Sequence, residues 1–305
     1  MSRSARLTVE NKDSWYFLHA KVDPKVRKST LNTNESGDKL LSIIETYAKT
    51  FCCNLGALFI SEGHYALVVK FHKFQKLSQS VMQKKASALY QGKQERVDLW
   101  NKKDWSDFND RLFDVGEFMR SIQMTFSRWH NSQIGKKGKL WAERFKSSIL
   151  TTDAAALDAI MYVESGPIRE KDSTNLTGYK FSSLYLRDNR KVDWLYSIDG
   201  NFGFAKGSKG KDTYLQILKH RCKLPIKSKE IEASQIKDGY PRGVFLKRQR
   251  YFLDGLVVGS QKDVIGWINM LRGKGKYKRK AKARKIAVGT QFVLREQRSH
   301  YKEYK

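Results

Sequence analysis

Residues 14–71 carry the pattern that most restricts the fold of this chain. The apolar and aromatic run at 14–22 predicts a β-strand. Apolar residues in 37–54 recur at helical spacing, which predicts an amphipathic helix. Residues 55–61 and 64–71 predict two further strands joined as a hairpin. Strand, helix, strand, strand is the opening of a ferredoxin-like layout, so we predict an α+β fold with an antiparallel sheet and packed helices.

The elements that follow extend this layout. Residues 76–110 are polar and predict a helical insertion, whereas 111–131 show helical apolar spacing. Residues 144–150 predict another strand. Asp153 then opens a helix that Pro167 terminates.

The composition of the chain changes near residue 190. We therefore predict one domain at 1–190 and a C-terminal accessory region at 191–305. Residues 201–211 are rich in glycine and lysine and predict a loop or linker. Residues 271–285 contain nine basic side chains and predict a basic C-terminal extension.

The charge balance predicts a polyanionic partner. The chain has 59 Lys and Arg against 31 Asp and Glu, a net charge of +28. The alternative is a basic protein whose charge only maintains solubility. No run approaches the ~20 apolar residues of a membrane-spanning helix, so we expect no membrane partner. The cysteines Cys52, Cys53 and Cys222 lack zinc-site spacing, which favours a reducing cytoplasm.

Tyr162 is the candidate nucleophile. At 100° per residue it lies off the apolar stripe of its helix and in line with Asp158, one turn earlier. A tyrosine so placed can approach a ligand, and its phenolate can attack a phosphodiester. On spacing alone, the pattern is more typical of an ordinary tyrosine packed at a helix edge.

Residues 105–169 contain a series of motifs that go beyond spacing. Tyr162-Val163 and Pro167-Ile168-Arg169 match a motif of the form Tyr-aliphatic-x-x-Asn-Pro-aliphatic-Arg. The upstream matches are Phe118-Met119-Arg120, Gly138, Trp141, Arg144-Phe145-Lys146 and Leu150. In these residues the chain resembles the single-tyrosine HUH transposases, above all the REP-associated tyrosine transposases. Weaker likeness covers the first strand, helix and hairpin.

The resemblance implies that Tyr162 cuts single-stranded or hairpin DNA and forms a covalent tyrosine–phosphate link. It also implies a Mg²⁺ or Mn²⁺ ion held by a His-x-His strand, which here reads His64-Tyr65-Ala66. The family's asparagine, four residues after the tyrosine, is Gly166. His64 therefore remains as the one matching ligand, and Asp158 and His19 are candidate replacements.

Two basic clusters are candidate DNA-binding surfaces. Cations track a phosphate backbone while aromatic faces stack on exposed bases. The first cluster comprises Lys136, Lys137, Lys139, Trp141, Arg144 and Lys146, together with Arg169, the arginine that ends the tyrosine motif. The second is the run 272–285, centred on Lys278, Arg279 and Lys280. Trp141 by itself is more typical of a core residue, and the run also fits a solvated tail.

Three functional hypotheses follow. The chain is a transposase-like enzyme, a descendant that binds hairpin DNA without cutting it, or an unrelated RNA-binding protein. The resemblance disfavours the third. It leaves open whether a homodimer completes one active site between two chains.

Overall fold

The computed structural model describes residues 7–26, 31–92, 94–135, 137–189, 192–274 and 281–295. These residues contain both helices and strands, which confirms the predicted α+β fold. In chain order, the elements of the first half are β1 (Ser14–Lys21), α1 (Asn34–Thr50), β2 (Cys53–Ile60), β3 (His64–Phe71), α2 (Gln79–Leu89), α3 (Gln94–Asp98), α4 (Lys102–Leu112) and α5 (Val115–Gln133). Those of the second half are β4 (Lys146–Leu150), α6 (Asp153–Glu164), α7 (Gly166–Arg169), α8 (Ser183–Asn189), α9 (Ser208–Arg221), α10 (Lys229–Lys237), a 3₁₀ turn (Val244–Leu246), α11 (Arg250–Asp254), β5 (Gly255–Gly259), α12 (Gln261–Gly273), β6 (Arg284–Lys285) and β7 (Phe292–Arg295).

The described residues pack into two compact units. The N-terminal unit comprises those of Thr8–Phe145 and Val163–Ser197. The C-terminal unit comprises those of Met1–Leu7, Lys146–Tyr162 and Ile198–Lys305. The functional division near residue 190 stays a prediction.

Strand β3 lies between β2 and β1 in the N-terminal unit and pairs antiparallel with both. Seven of the eight residues of β1 are buried, since the strand is apolar on both faces. Helix α1 starts at Asn34 because the Thr33 side chain accepts a hydrogen bond from the Ser36 amide. It ends at Thr50 instead of continuing to 54, where β2 has already begun.

The predicted insertion is helical and has its own aromatic cluster. Asn101 starts α4 with a reciprocal capping box. The rings of Tyr90, Trp100, Trp105 and Phe108 contact one another, with centroids of the two tryptophans 4.8 Å apart. These edge and tilted contacts stabilise an otherwise polar segment.

Strands β4 and β5 of the C-terminal unit pair in parallel, with Ile149 opposite Val257. Strand β7 then pairs antiparallel with β5 and with β6. The C-terminal extension therefore contributes strands as well as basic residues.

The predicted linker is shorter than expected, since α9 begins at Ser208 after Gly207 with a φ of 79°. Of the helices in the described ranges, none combines the length and apolar content needed to cross a bilayer.

Candidate functional site

Two histidines lie side by side on the sheet of the N-terminal unit. His64 opens β3 opposite Lys21, and His19 of β1 lies opposite Ala66. His19 and His64 are therefore diagonal neighbours on one face of the sheet. Their ring centroids are 5.0 Å apart. The structure thus brings together His64 and His19, one of the two candidate replacements for the missing metal ligand.

A phenyl ring stands beside this pair. Phe59 of β2 lies opposite Ala66, so the two side chains share a face. Phe59 is completely buried, and its ring centroid is 6.0 Å from that of His64. The face that carries the histidines is consequently closed by an apolar side chain.

The same ring fills the space at Gly166. A Cβ atom built on Gly166 would lie 2.3 Å from Cδ1 and 2.6 Å from Cε1 of Phe59. Real contacts are never this short, so a side chain at 166 requires movement of a buried ring. Gly166 does not have a positive φ. Close packing, not backbone conformation, therefore demands glycine here. Positions 66 and 166, where the motifs that the sequence resembles carry a histidine and an asparagine, both border Phe59.

The described residues do not fit the divalent metal that the resemblance implies. Among them, no group of three or more His, Cys, Asp or Glu side chains could hold an ion. Besides any imidazoles, Mg²⁺ and Mn²⁺ need further donors, usually oxygen atoms, to complete their coordination. Beside its two imidazoles, the histidine face offers a methyl group and a phenyl ring, neither of which is a donor.

Asp158, the other candidate ligand, is occupied in the C-terminal unit. Its carboxylate accepts hydrogen bonds from Arg221 at 2.8 Å and from the Tyr240 hydroxyl. Burial raises the pKa of Asp158, and the charge and hydrogen bonds of these partners oppose that rise. The Arg221 guanidinium stacks 3.9 Å from the Tyr240 ring centroid. Asp158 and Arg221 therefore form a buried structural ion pair.

Tyr162 is also buried, with 4% of its surface exposed. Its ring contacts Phe245 and Phe252, at centroid distances of 5.8 and 5.2 Å. The Gln249 backbone N–H donates to its hydroxyl oxygen at 3.3 Å. Helical spacing suggested an accessible tyrosine because it could not show that residues 244–254 pack over this side of α6.

The basic turn divides into exposed cations and a core aromatic. Lys136 lies outside the described residues, whereas Lys137, Lys139 and Arg144 are exposed. Trp141 is buried, and its Nε1 donates to the Gln123 carbonyl at 3.1 Å. That ring is therefore not available to stack on a base.

The remaining predicted cations differ in their surroundings. Lys146 lies 3.4 Å from Asp254. Arg169 donates to Ser165 at 3.0 Å and pairs with Glu170 at 3.3 Å, so its side chain is largely covered. Lys278, Arg279 and Lys280 lie outside the described residues; of their run, Lys274, Lys282, Arg284 and Lys285 are exposed.

Sequence reasoning missed three residues that determine these surroundings. Phe59 was part of a predicted strand, but only the strand register places its ring between positions 66 and 166. Arg221 and Gln249 act on residues more than 60 positions away. Local periodicity carries no signal for such contacts.

Comparison with known proteins finds likeness in structure but none in sequence. No protein-family model and no curated protein sequence matches the chain. One similar solved structure is that of a REP-associated tyrosine transposase bound to a REP hairpin. It is 14% identical, has a TM-score of 0.41, and the match covers 69% of this chain and 97% of that one. A TM-score this low carries no argument about this chain.

Proposed function

We propose that this chain is a transposase-like protein that binds single-stranded or hairpin DNA without metal-assisted strand cutting. The excess of positive charge supports a polyanionic partner. The tyrosine motif at 162–169 favours DNA among polyanions, through the resemblance to transposases. In this proposal residues 1–190 form the transposase-like part, and 191–305 form an accessory region.

One observation favours binding over cutting. The Phe59 ring occupies the space that borders both Ala66 and Gly166, the positions that would carry the family's missing polar groups. An ion there would lose its water shell against a phenyl ring without gaining oxygen ligands, which is strongly unfavourable. DNA binding needs no such site, because exposed lysines and arginines neutralise phosphates directly.

Strand cleavage through Tyr162 is the second candidate. The tyrosine keeps its place in the matched motif. Its oxygen would attack phosphorus, form a tyrosine–phosphate bond and release a hydroxyl-terminated strand. The contacts with Gln249, Phe245 and Phe252 would have to open before that oxygen could reach a strand.

The proposal is tested by fluorescence anisotropy with a DNA hairpin, a single strand, a blunt duplex and an RNA hairpin of the same sequence. We expect the hairpin and single strand to bind more tightly than the duplex, and DNA to bind more tightly than RNA. The affinity should fall with salt by a log–log slope of about 0.7 per phosphate contacted on a single strand. Salt-insensitive binding, or a preference for RNA, would contradict the proposal.

A parallel assay separates binding from cutting. The protein is incubated with labelled hairpin DNA and Mn²⁺, and covalent adducts are detected on a denaturing gel. We expect no adduct. An adduct with the natural chain that is absent from Tyr162→Phe would establish the cleavage candidate instead.

A further inference from the structure

Residues 244–250 form a turn that is fixed against Tyr162. The Gln249 side-chain amide donates to the carbonyls of Val244 at 2.7 Å and Lys247 at 3.0 Å. The Gln249 backbone N–H donates to the Tyr162 hydroxyl. Phe245 is completely buried and packs against the Tyr162 ring. The turn is therefore held by hydrogen bonds between its own residues and by the contact of Phe245 with the Tyr162 ring.

Three cations project from this turn. Lys247, Arg248 and Arg250 are all exposed. Among the described residues, no carboxylate forms an ion pair with any of them. Some other cations of the same unit are paired, as Lys146 is with Asp254 at 3.4 Å and Arg242 with Glu232 at 3.8 Å. The cluster thus concentrates positive charge that no described carboxylate neutralises through an ion pair.

We propose that Lys247, Arg248 and Arg250 form a phosphate-binding site for a DNA strand that runs past Tyr162. This inference rests on the proposed function. Like charges on nearby residues of one turn repel one another, and a strand that carries a phosphate on every nucleotide relieves that repulsion. Because Gln249 already fixes the backbone of the turn, binding loses conformational entropy mainly in the three side chains. Gln249 lies between Arg248 and Arg250, and its backbone N–H contacts the Tyr162 hydroxyl. A DNA backbone bound by these cations would therefore lie beside Tyr162.

The test removes charge and keeps the side-chain stems. The variant Lys247→Gln/Arg248→Gln/Arg250→Gln is compared with a control of equal charge change, Lys209→Gln/Lys211→Gln/Lys229→Gln. The control residues are also exposed, belong to the same unit and form no ion pair with a described carboxylate. Affinity for a DNA hairpin is measured by anisotropy at several salt concentrations, and thermal unfolding shows that each variant is folded.

We expect the turn variant to lose about two units of log–log salt slope, and on the order of 100-fold in affinity near 0.1 M salt. The control should change affinity by less than about threefold. If the triple variant does not fold, each single variant should still lose roughly fivefold. Equal effects in the turn variant and the control would overturn the inference and leave DNA binding intact.

Two other outcomes would also overturn it. If the natural chain binds no DNA, the proposed function fails as well, and that result is distinct from failure of the turn alone. If the turn variant binds DNA normally but loses binding to vesicles of phosphatidylserine and phosphatidylcholine, the three cations serve a membrane surface instead.

Discussion

Replacing Gly166 with alanine tests whether the Phe59 ring closes the candidate site. In most helices this change stabilises by roughly 0.5–1 kcal/mol, because glycine loses more backbone entropy on folding. At this position the new Cβ would lie 2.3 Å from Cδ1 of a buried ring in the N-terminal unit. We therefore expect the opposite sign, a destabilisation of about 2–3 kcal/mol from overpacking.

Thermal unfolding followed by circular dichroism measures this effect. A unit of this size loses about 2–4 °C per kcal/mol, so the midpoint should fall by roughly 4–12 °C. The matched control is Gly266→Ala in α12, where a Cβ meets no atom within 4 Å. That variant should be neutral or slightly stabilised.

Phe59→Leu then tests the cause. Leucine leaves part of the phenyl volume empty, at a cost of its own of about 1–1.5 kcal/mol. In this background Gly166→Ala should cost less than about 1 kcal/mol, which gives a favourable coupling energy of roughly 1–2 kcal/mol. Equal costs in both backgrounds, or a Gly166→Ala variant as stable as the Gly266 control, would refute the packing argument.

Three further predictions concern separate parts of the molecule. Arg221→Met should destabilise by about 3–5 kcal/mol in chemical denaturation, because it leaves Asp158 buried without a counter-charge. The pKa of Asp158 is raised above its ordinary value of 3.8 in the folded protein, so protonated Asp158 stabilises the fold below pH 3.8, and this stabilisation is lost as the pH rises through the folded-state pKa. Without Arg221 that pKa should be higher still, so the loss of stability with rising pH should be larger. Tyr162→Phe should keep DNA affinity within about threefold, since it removes one hydroxyl that faces Gln249. Ala66→His with Phe59→Ala should gain a Mn²⁺-dependent rise in melting temperature, whereas Ala66→His alone should not.

The order of the first strands and helix could be predicted because their signals are local. Alternating or helical spacing of apolar residues needs only a few neighbouring positions. Element ends were shifted by side-chain caps, as at Thr33, which periodicity does not detect. The parallel pairing of β4 with β5 joins segments about 100 residues apart, and neither strand carries a sequence signal for its partner.

The candidate site was less predictable for the same reason. His19 could be named as a partner for His64, and the strand register places the two rings together. The sequence showed that Ala66 and Gly166 lack polar groups, but not that one ring borders both. Burial of Tyr162 depends on residues more than 80 positions later.

The residue types at positions 59, 66 and 166 depend on one another. Ala66 has a small side chain and Gly166 has none, so together they leave a space, and such a space in a buried region is costly unless an apolar group fills it. The phenyl ring fills it, and in turn excludes any larger side chain from position 166. A polar or metal-binding site on this face would therefore need at least two changes together, a smaller side chain at 59 and a polar side chain at 66. Replacing Gly166 alone introduces a clash with the Phe59 ring. Replacing Phe59 alone with alanine leaves a cavity that costs about 3–5 kcal/mol. Packing alone thus keeps this face closed, and this argument does not depend on what the protein binds.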